Sequence, residues 1–208
     1  MLSRNYKGIE LGIIFFILPI SFAFPFSIWI KLSIGFIGFI YILYMLLKVE
    51  HNTFKIAPNL NWKVFWKETI IKLLIISVLT SLFVWLTNKD ALFNVLINKP
   101  KLWVFIVFIY SVFSVYPQEL IYRTFFFQRY ESLFKSKNQL LILNAIVFSL
   151  GHIFFRNTLV LVLTFLGGLL FAFTYNKTKS TLLVSIEHAI YGSWLFTVGM
   201  GAMLGFPS

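Results

Sequence analysis

The chain has 208 residues, 59% hydrophobic and 20% aromatic, with a formal net charge of +11 and no cysteine, and its mean hydropathy is +0.86. Soluble domains use about 45 to 50% apolar residues, so the composition argues against a soluble protein and for one polytopic membrane domain. The lack of cysteine excludes disulfides, thiolate nucleophiles and thiolate metal ligands, and the basic residues are strung between apolar runs without the dense patch that nucleic acid requires.

A window of about 20 residues predicts seven helical spans, near 9–24, 27–47, 69–86, 102–127, 139–155, 158–175 and 181–204. The expected fold is therefore all-α, a polytopic membrane helix bundle of about seven transmembrane helices with room for an eighth. The first span follows Arg4 and Lys7 as a signal peptide would, but Phe22, Ala23, Phe24 and Pro25 make a poor cleavage site and a second apolar run follows at once. It reads as an anchor that stays. In residues 59–68, Trp62, Val64, Phe65 and Trp66 alternate with Lys63 and Lys67, the pattern of an interfacial segment lying on the membrane surface.

Lysine and arginine bias predicts the orientation. With the N-terminus inside, inner segments carry 11 basic residues (Arg4, Lys7, Lys48, Lys55, Lys63, Lys67, Arg129, Lys135, Lys137, Lys177, Lys179), and outer segments carry four (Lys89, Lys99, Lys101, Arg156). This asymmetry predicts a cell-membrane protein with the N-terminus inside and the C-terminus outside. Lys31, Lys72 and Glu10 lie near predicted span ends, where snorkelling to the interface explains them.

That explanation is weaker for Glu119, Arg123, His152, Glu187 and His188. Each would be cheaper as an apolar residue at membrane depth, which makes function the default reading. Glu119 and Arg123 are four apart, the spacing at which a carboxylate and a guanidinium share a helix face and pair; simple neutralisation within a helix bundle is the plainer account of that pair. Pro117 precedes them and should kink the span by removing a backbone hydrogen bond. Counted from the polar stretch 134–138, Glu119 and His152 fall at nearly the same depth, about 25 Å from the hairpin tip, while His188 lies roughly 15 Å beyond the turn at 177–179. A hairpin projecting into the cytosol, or a non-helical stretch, would bring all three to one level in the inner leaflet. A lone membrane histidine is commonly a packing residue, but two at a depth compatible with a carboxylate suit hydrolysis by an activated water. Neutral imidazoles orient water or bind a metal, and a carboxylate acts as base or ligand. His51 lies in a polar loop and is left aside. In the sixth span Gly167, Gly168 and Ala172 have the small-residue spacing of close helix packing, and the glycines near the C-terminus suit a helix end.

Gln118, Glu119 and Arg123 resemble the Glu-Glu-x-x-x-Arg motif of the CPBP or Abi family, intramembrane proteases of the CAAX prenyl protease and bacteriocin-processing type. Phe148 to His152 matches that family's Phe-x-x-x-His, and His188 to Gly192 occupies its His-x-x-x-Asn. The resemblance covers about residues 105–200. It implies a CPBP-like helical core over 105–208, which follows the N-terminal transmembrane helices and interfacial segment read from the pattern over 1–104. It further implies an endopeptidase, metallo or glutamic, that hydrolyses a peptide bond of a membrane-associated or lipidated substrate. The expected site is Glu119, Arg123, His152 and His188. Two positions depart from the pattern. Gln118 stands where the family's water-activating Glu is expected and cannot accept a proton. Gly192 stands where an Asn is expected to hold the transition-state oxygen. Glu119 would then act as base, or Glu187 beside His188 would, though adjacent helical residues point about 100° apart. Should a metal such as zinc be used, His152, His188 and Glu119 are the ligands expected; the same three could orient water without one. The alternative is a catalytically inactive relative that binds membrane peptides as an adaptor. Prenylated proteins, leader peptides, bacteriocins and receptor tails would all suit an apolar cavity with one wet end.

Overall fold

The computed structural model describes residues 3–52 and 61–205, and among them every regular element is helical. Helix α1 starts as Arg4–Gly12 and runs through a π-helical turn, Ile13–Ile17, into Leu18–Ser21. Next come α2 (Ile28–Val49), α3 (Trp62–Thr87), the short α4 (Asn94–Asn98), α5 (Pro100–Leu133), α6 (Lys137–Leu150), α7 (Thr158–Thr178) and α8 (Thr181–Val198). Side-chain oxygens of Ser3, Ser27, Asn61, Ser136 and Asn157 accept the first backbone N–H groups of α1, α2, α3, α6 and α7, the groups that helix geometry leaves without a partner.

Proline explains two of the irregularities. Pro19 and Pro117 each follow a π turn by two residues, Ile13–Ile17 in α1 and Tyr110–Val115 in α5. A proline has no N–H to donate and its ring crowds the carbonyl four residues back, so a widened turn just before it accommodates both defects without ending the helix.

Among the described residues five helices are long and apolar enough to cross a membrane: Ile28–Val49, Trp62–Thr87, Pro100–Leu133, Lys137–Phe155 and Thr158–Thr178. Large apolar side chains such as Trp29, Phe36, Leu74, Val78 and Phe113 face outward, while Glu119, Arg123 and Glu187 are fully buried. Such an arrangement would be unfavourable in water and is favourable in lipid. The chain is an all-α, polytopic membrane protein.

Several boundaries differ from the sequence expectation, two of them with a clear local reason. The tryptophan-rich segment from Trp62 onward is the start of α3 itself, winding directly into the span; residues 59 and 60 lie outside the described residues. The last helix stops at Val198, because Gly199 adopts φ +103° and a Cβ there would strike the Ala91 carbonyl, so only glycine fits.

The chain divides into two compact units, Met1–Lys55 with Gln118–Thr181, and Ile56–Pro117 with Leu182–Ser208. In the first, Phe15 of α1 packs its ring against Tyr122, Phe125, Phe126 and Tyr130 of α5 at centroid distances of 5.2 to 6.3 Å. The α6–α7 hairpin closes tightly because Gly168 lies against the backbone of Ala145, the use expected of the small-residue spacing. At one end of this unit, Arg129 binds Glu10 through Nε (2.7 Å) and Glu50 through Nη1 (2.9 Å), and the Tyr130 and Tyr41 hydroxyls donate to Glu10.

In the second unit α8 carries a different set of residues on each of two faces. One face meets α3: Glu187 with Lys72, Tyr191 with the Thr69 carbonyl, and the Trp194 indole N–H with Thr80 Oγ1. The other meets the start of α5, where Tyr110 packs edge-on against His188 and Phe196, and Trp103 donates to Thr197. The spacings 187, 191, 194 and 188, 192, 196 are two helical stripes.

Candidate active-site residues

In the first unit, the π turn Leu120–Phe125 of α5 carries Arg123, and Glu119 is the residue just before it. The spacing of four pairs them: Arg123 Nε lies 3.4 Å from Glu119 Oε2, and both side chains are fully buried. Taking either charge alone into such a place costs several kcal/mol, so each makes the other's burial tolerable. The guanidinium also lies over the Phe148 ring, 4.5 Å from its centroid, with Phe171 at 5.7 Å, a cation–π arrangement that strengthens when water is absent. Arg123 Nη2 reaches the Gly168 carbonyl at 3.5 Å.

His152 completes this row. The α-helical part of the fifth span ends at Leu150, and His152 sits in the turn that follows, just before the 3₁₀ turn Ile153–Phe155. Its Nδ1 is 2.8 Å from the Phe148 carbonyl, and its ring meets the Phe148 ring at 4.9 Å. A proton on Nδ1 satisfies that carbonyl and leaves Nε2 as the lone-pair nitrogen of the imidazole. Glu119, Arg123, Phe148 and His152 thus form one contiguous series of contacts, with Phe148 held between the guanidinium and the imidazole. Gln118 is half-buried beside it. Gly151 completes the packing, since a Cβ there would overlap the Tyr122 hydroxyl.

In the second unit, Glu187 and His188 point to different sides of α8, as their 100° separation requires. Glu187 is fully buried; its Oε1 accepts from Lys72 Nζ at 2.7 Å and from the Tyr191 hydroxyl at 2.9 Å, and its Oε2 has no hydrogen-bond partner among the described residues. It ties α8 to α3. His188 is buried on the opposite stripe with Tyr110, their ring centroids 6.0 Å apart. The hydroxyl of Tyr110 lies where a Cβ of residue 192 would stand, so position 192 has room only for glycine while that tyrosine is present.

By position in the sequence Lys72 suggests snorkelling and Arg129 a loop, whereas the structure ties Lys72 to Glu187 and Arg129 to Glu10 and adds Tyr110, Phe148 and Tyr191 as neighbours of the predicted residues. Tyr191 is four residues from Glu187 and Phe148 four from His152, so both were legible as neighbours on one helix face. Lys72 and Tyr110 reach their partners across more than seventy residues of chain, which no local spacing reveals. Among the described residues no three histidine, cysteine, aspartate or glutamate side chains stand together as metal ligands.

Residues 100–194, which include all of these positions, match the family described as type II CAAX prenyl endopeptidase Rce1-like. No curated protein and no solved structure matches the chain.

Proposed function

We propose, on the premise that residues 100–194 belong to the Rce1-like type II CAAX prenyl endopeptidases, that this protein is an intramembrane endopeptidase cleaving a membrane-associated, prenylated substrate. The observation that carries the proposal is the Glu119–Arg123 pair, fully buried in an apolar span and linked through Phe148 to His152. A pair that served only to neutralise itself could often be replaced by apolar residues without loss; the imidazole on the far side of Phe148 supports a chemical use for this one.

In the proposed reaction Glu119 accepts a proton from water, and the hydroxide oxygen attacks the scissile carbonyl carbon. The C–N bond then breaks, and the proton held by Glu119 passes to the departing amine. Arg123 fixes the carboxylate. The Nε2 lone pair of His152 orients the water, and His188 is assigned to the reaction by its motif position alone. Gln118 offers hydrogen bonds but no base, so the single carboxylate takes both proton transfers. The charge asymmetry supports an N-terminus inside, a C-terminus outside and access from the inner leaflet.

Purified protein in vesicles, incubated with a farnesylated CAAX-type peptide, should release the C-terminal tripeptide. Glu119→Gln and His188→Ala should each reduce release at least a hundredfold, the scale of losing a general base. Cleavage that survives both changes removes the assignment. Tight peptide binding without cleavage by the unaltered protein would instead favour the adaptor reading, to which Gln118 and Gly192 lend weight.

A further inference from the structure

Tyr122 lies inside the π turn Leu120–Phe125, just before Arg123, and it is held at its backbone, its ring and its hydroxyl. The backbone carbonyl accepts a hydrogen bond from the Asn144 side-chain amide of α6. The ring packs edge-on to Phe15 of α1 and Phe148 of α6, at 5.5 and 5.2 Å. The hydroxyl fills the space where a Cβ of residue 151 would stand, and the Phe148 carbonyl lies 3.2 Å from that same point. That carbonyl also meets His152 Nδ1 at 2.8 Å, so the tip of the phenol borders the contact that orients the imidazole. Two features mark the arrangement as built for a purpose. Phenylalanine at 122 would leave the Gly151 backbone uncovered, so tyrosine and glycine match in size. Asn144 is fully buried and its Oδ1 has no hydrogen-bond partner among the described residues; leucine would avoid that unfavourable burial, so the value of the amide lies in the bond it gives Tyr122.

We propose that Tyr122 is a positioning residue for the hydrolysis proposed above, on which this inference rests: it fixes the register of the π turn against α6 and so sets the Glu119–Arg123 pair against His152. Wide turns of this kind are rare in helices and concentrate at functional sites. A slip of one residue would rotate the side chains of the segment by about 100°. It would carry the Arg123 guanidinium off the Phe148 ring, whose centroid now lies 4.5 Å away. The His152 ring meets the same Phe148 ring at 4.9 Å. Phe148 therefore touches Tyr122, Arg123 and His152 together, and Tyr122 is the member pinned by backbone, ring and hydroxyl at once. Its effect on the reaction passes through the placement of these groups, and the phenol keeps its proton throughout.

The test pairs kinetics with spectroscopy, using the full chain in phosphatidylcholine vesicles, a farnesylated CAAX-type peptide, and ¹⁵N spectra of the histidine rings, of which the chain has three. Gly151→Ala drives a methyl group into the phenol and should lower kcat about 10²-fold, the scale of a 1 Å misplacement, with KM nearly unchanged. It should also shift the His152 ring signals. Adding Tyr122→Phe removes the overlapping oxygen, and should restore most of the lost kcat and return the His152 signals toward their original positions. Asn144→Leu, two helical turns from His152, should lower kcat at least about tenfold with KM nearly unchanged, and should move the same signals. A double variant no more active than Gly151→Ala, with His152 equally displaced, overturns the assignment and leaves the hydrolase reading standing. If Gly151→Ala does not fold, Asn144→Leu decides, since normal kcat with unmoved His152 signals overturns the assignment as well. Unaltered protein that cleaves no peptide overturns the hydrolase reading; His152 signals that still shift in Gly151→Ala and return in the double variant then uphold Tyr122 as a register lock alone.

Discussion

At the scale of single residues, the question is what Arg123 does for Glu119. If the guanidinium only neutralises a carboxylate, removing both charges should be harmless; if the carboxylate works, stability and activity should separate. Arg123→Met strands a fully buried carboxylate, and losing one member of such a pair costs about 3 to 5 kcal/mol. Thermal unfolding in detergent should therefore show a marked loss for Arg123→Met and a recovery toward the original midpoint in Glu119→Gln with Arg123→Met. Peptide cleavage should be absent from both. A double variant that regained cleavage would reduce the pair to a packing device. Their pairing was legible in the sequence, since four residues on a helix bring side chains together whatever the rest of the fold does. The position of His152 in a turn, with its Nδ1 on the Phe148 carbonyl, was not, because an apolar run looks continuous whether or not the helix within it ends.

At the scale of helices, two adjacent glycines of α7 should respond oppositely to the same change. A Cβ at Gly167 would meet only the Phe171 ring, at 3.3 Å, which can turn aside, whereas one at Gly168 would come within 3.0 Å of the Ala145 backbone in α6. Replacing glycine by alanine inside a helix gains up to about 1 kcal/mol of propensity, so Gly167→Ala should raise the unfolding midpoint slightly. Gly168→Ala should lower it, by the order of 1 to 3 kcal/mol that overpacking costs, and should weaken cleavage by shifting the carbonyl that Arg123 reaches. Equal midpoints for the two variants would mean that the hairpin yields easily. The small-residue spacing exposed this contact in advance. Helix pairing across long separations was hidden. Lys72 and Glu187 lie on α3 and α8, and Arg129 joins α1 to the end of α5, so charges that look interfacial or cytosolic one at a time turn out to be internal ties.

At the scale of the whole molecule, the internal ties of each unit constrain topology independently of charge counting. In the first unit Arg4 donates to the Leu133 carbonyl and Arg129 joins Glu10 to Glu50, which sets the start of α1, the end of α2 and the end of α5 on one side. Arg156, between α6 and α7, donates to the Ala23 carbonyl between α1 and α2, which sets those two turns together at the other side. Alternating spans with the N-terminus inside require the same grouping. Arg129, being internal, should not be counted among the loop charges, yet ten against four still favours that orientation. Because the chain has no cysteine, single cysteines can be placed on an unreactive background and labelled with a membrane-impermeant maleimide. In intact cells Asn157→Cys and Lys89→Cys should label, while Lys135→Cys and Lys177→Cys should label only after the membrane is opened. The reverse pattern would invert the orientation without disturbing the grouping, and would move the proposed water path to the outer face. Labelling of Asn157→Cys and Lys135→Cys from the same side would contradict the helix alternation, and with it the common depth of Glu119 and His152 on which a shared water depends.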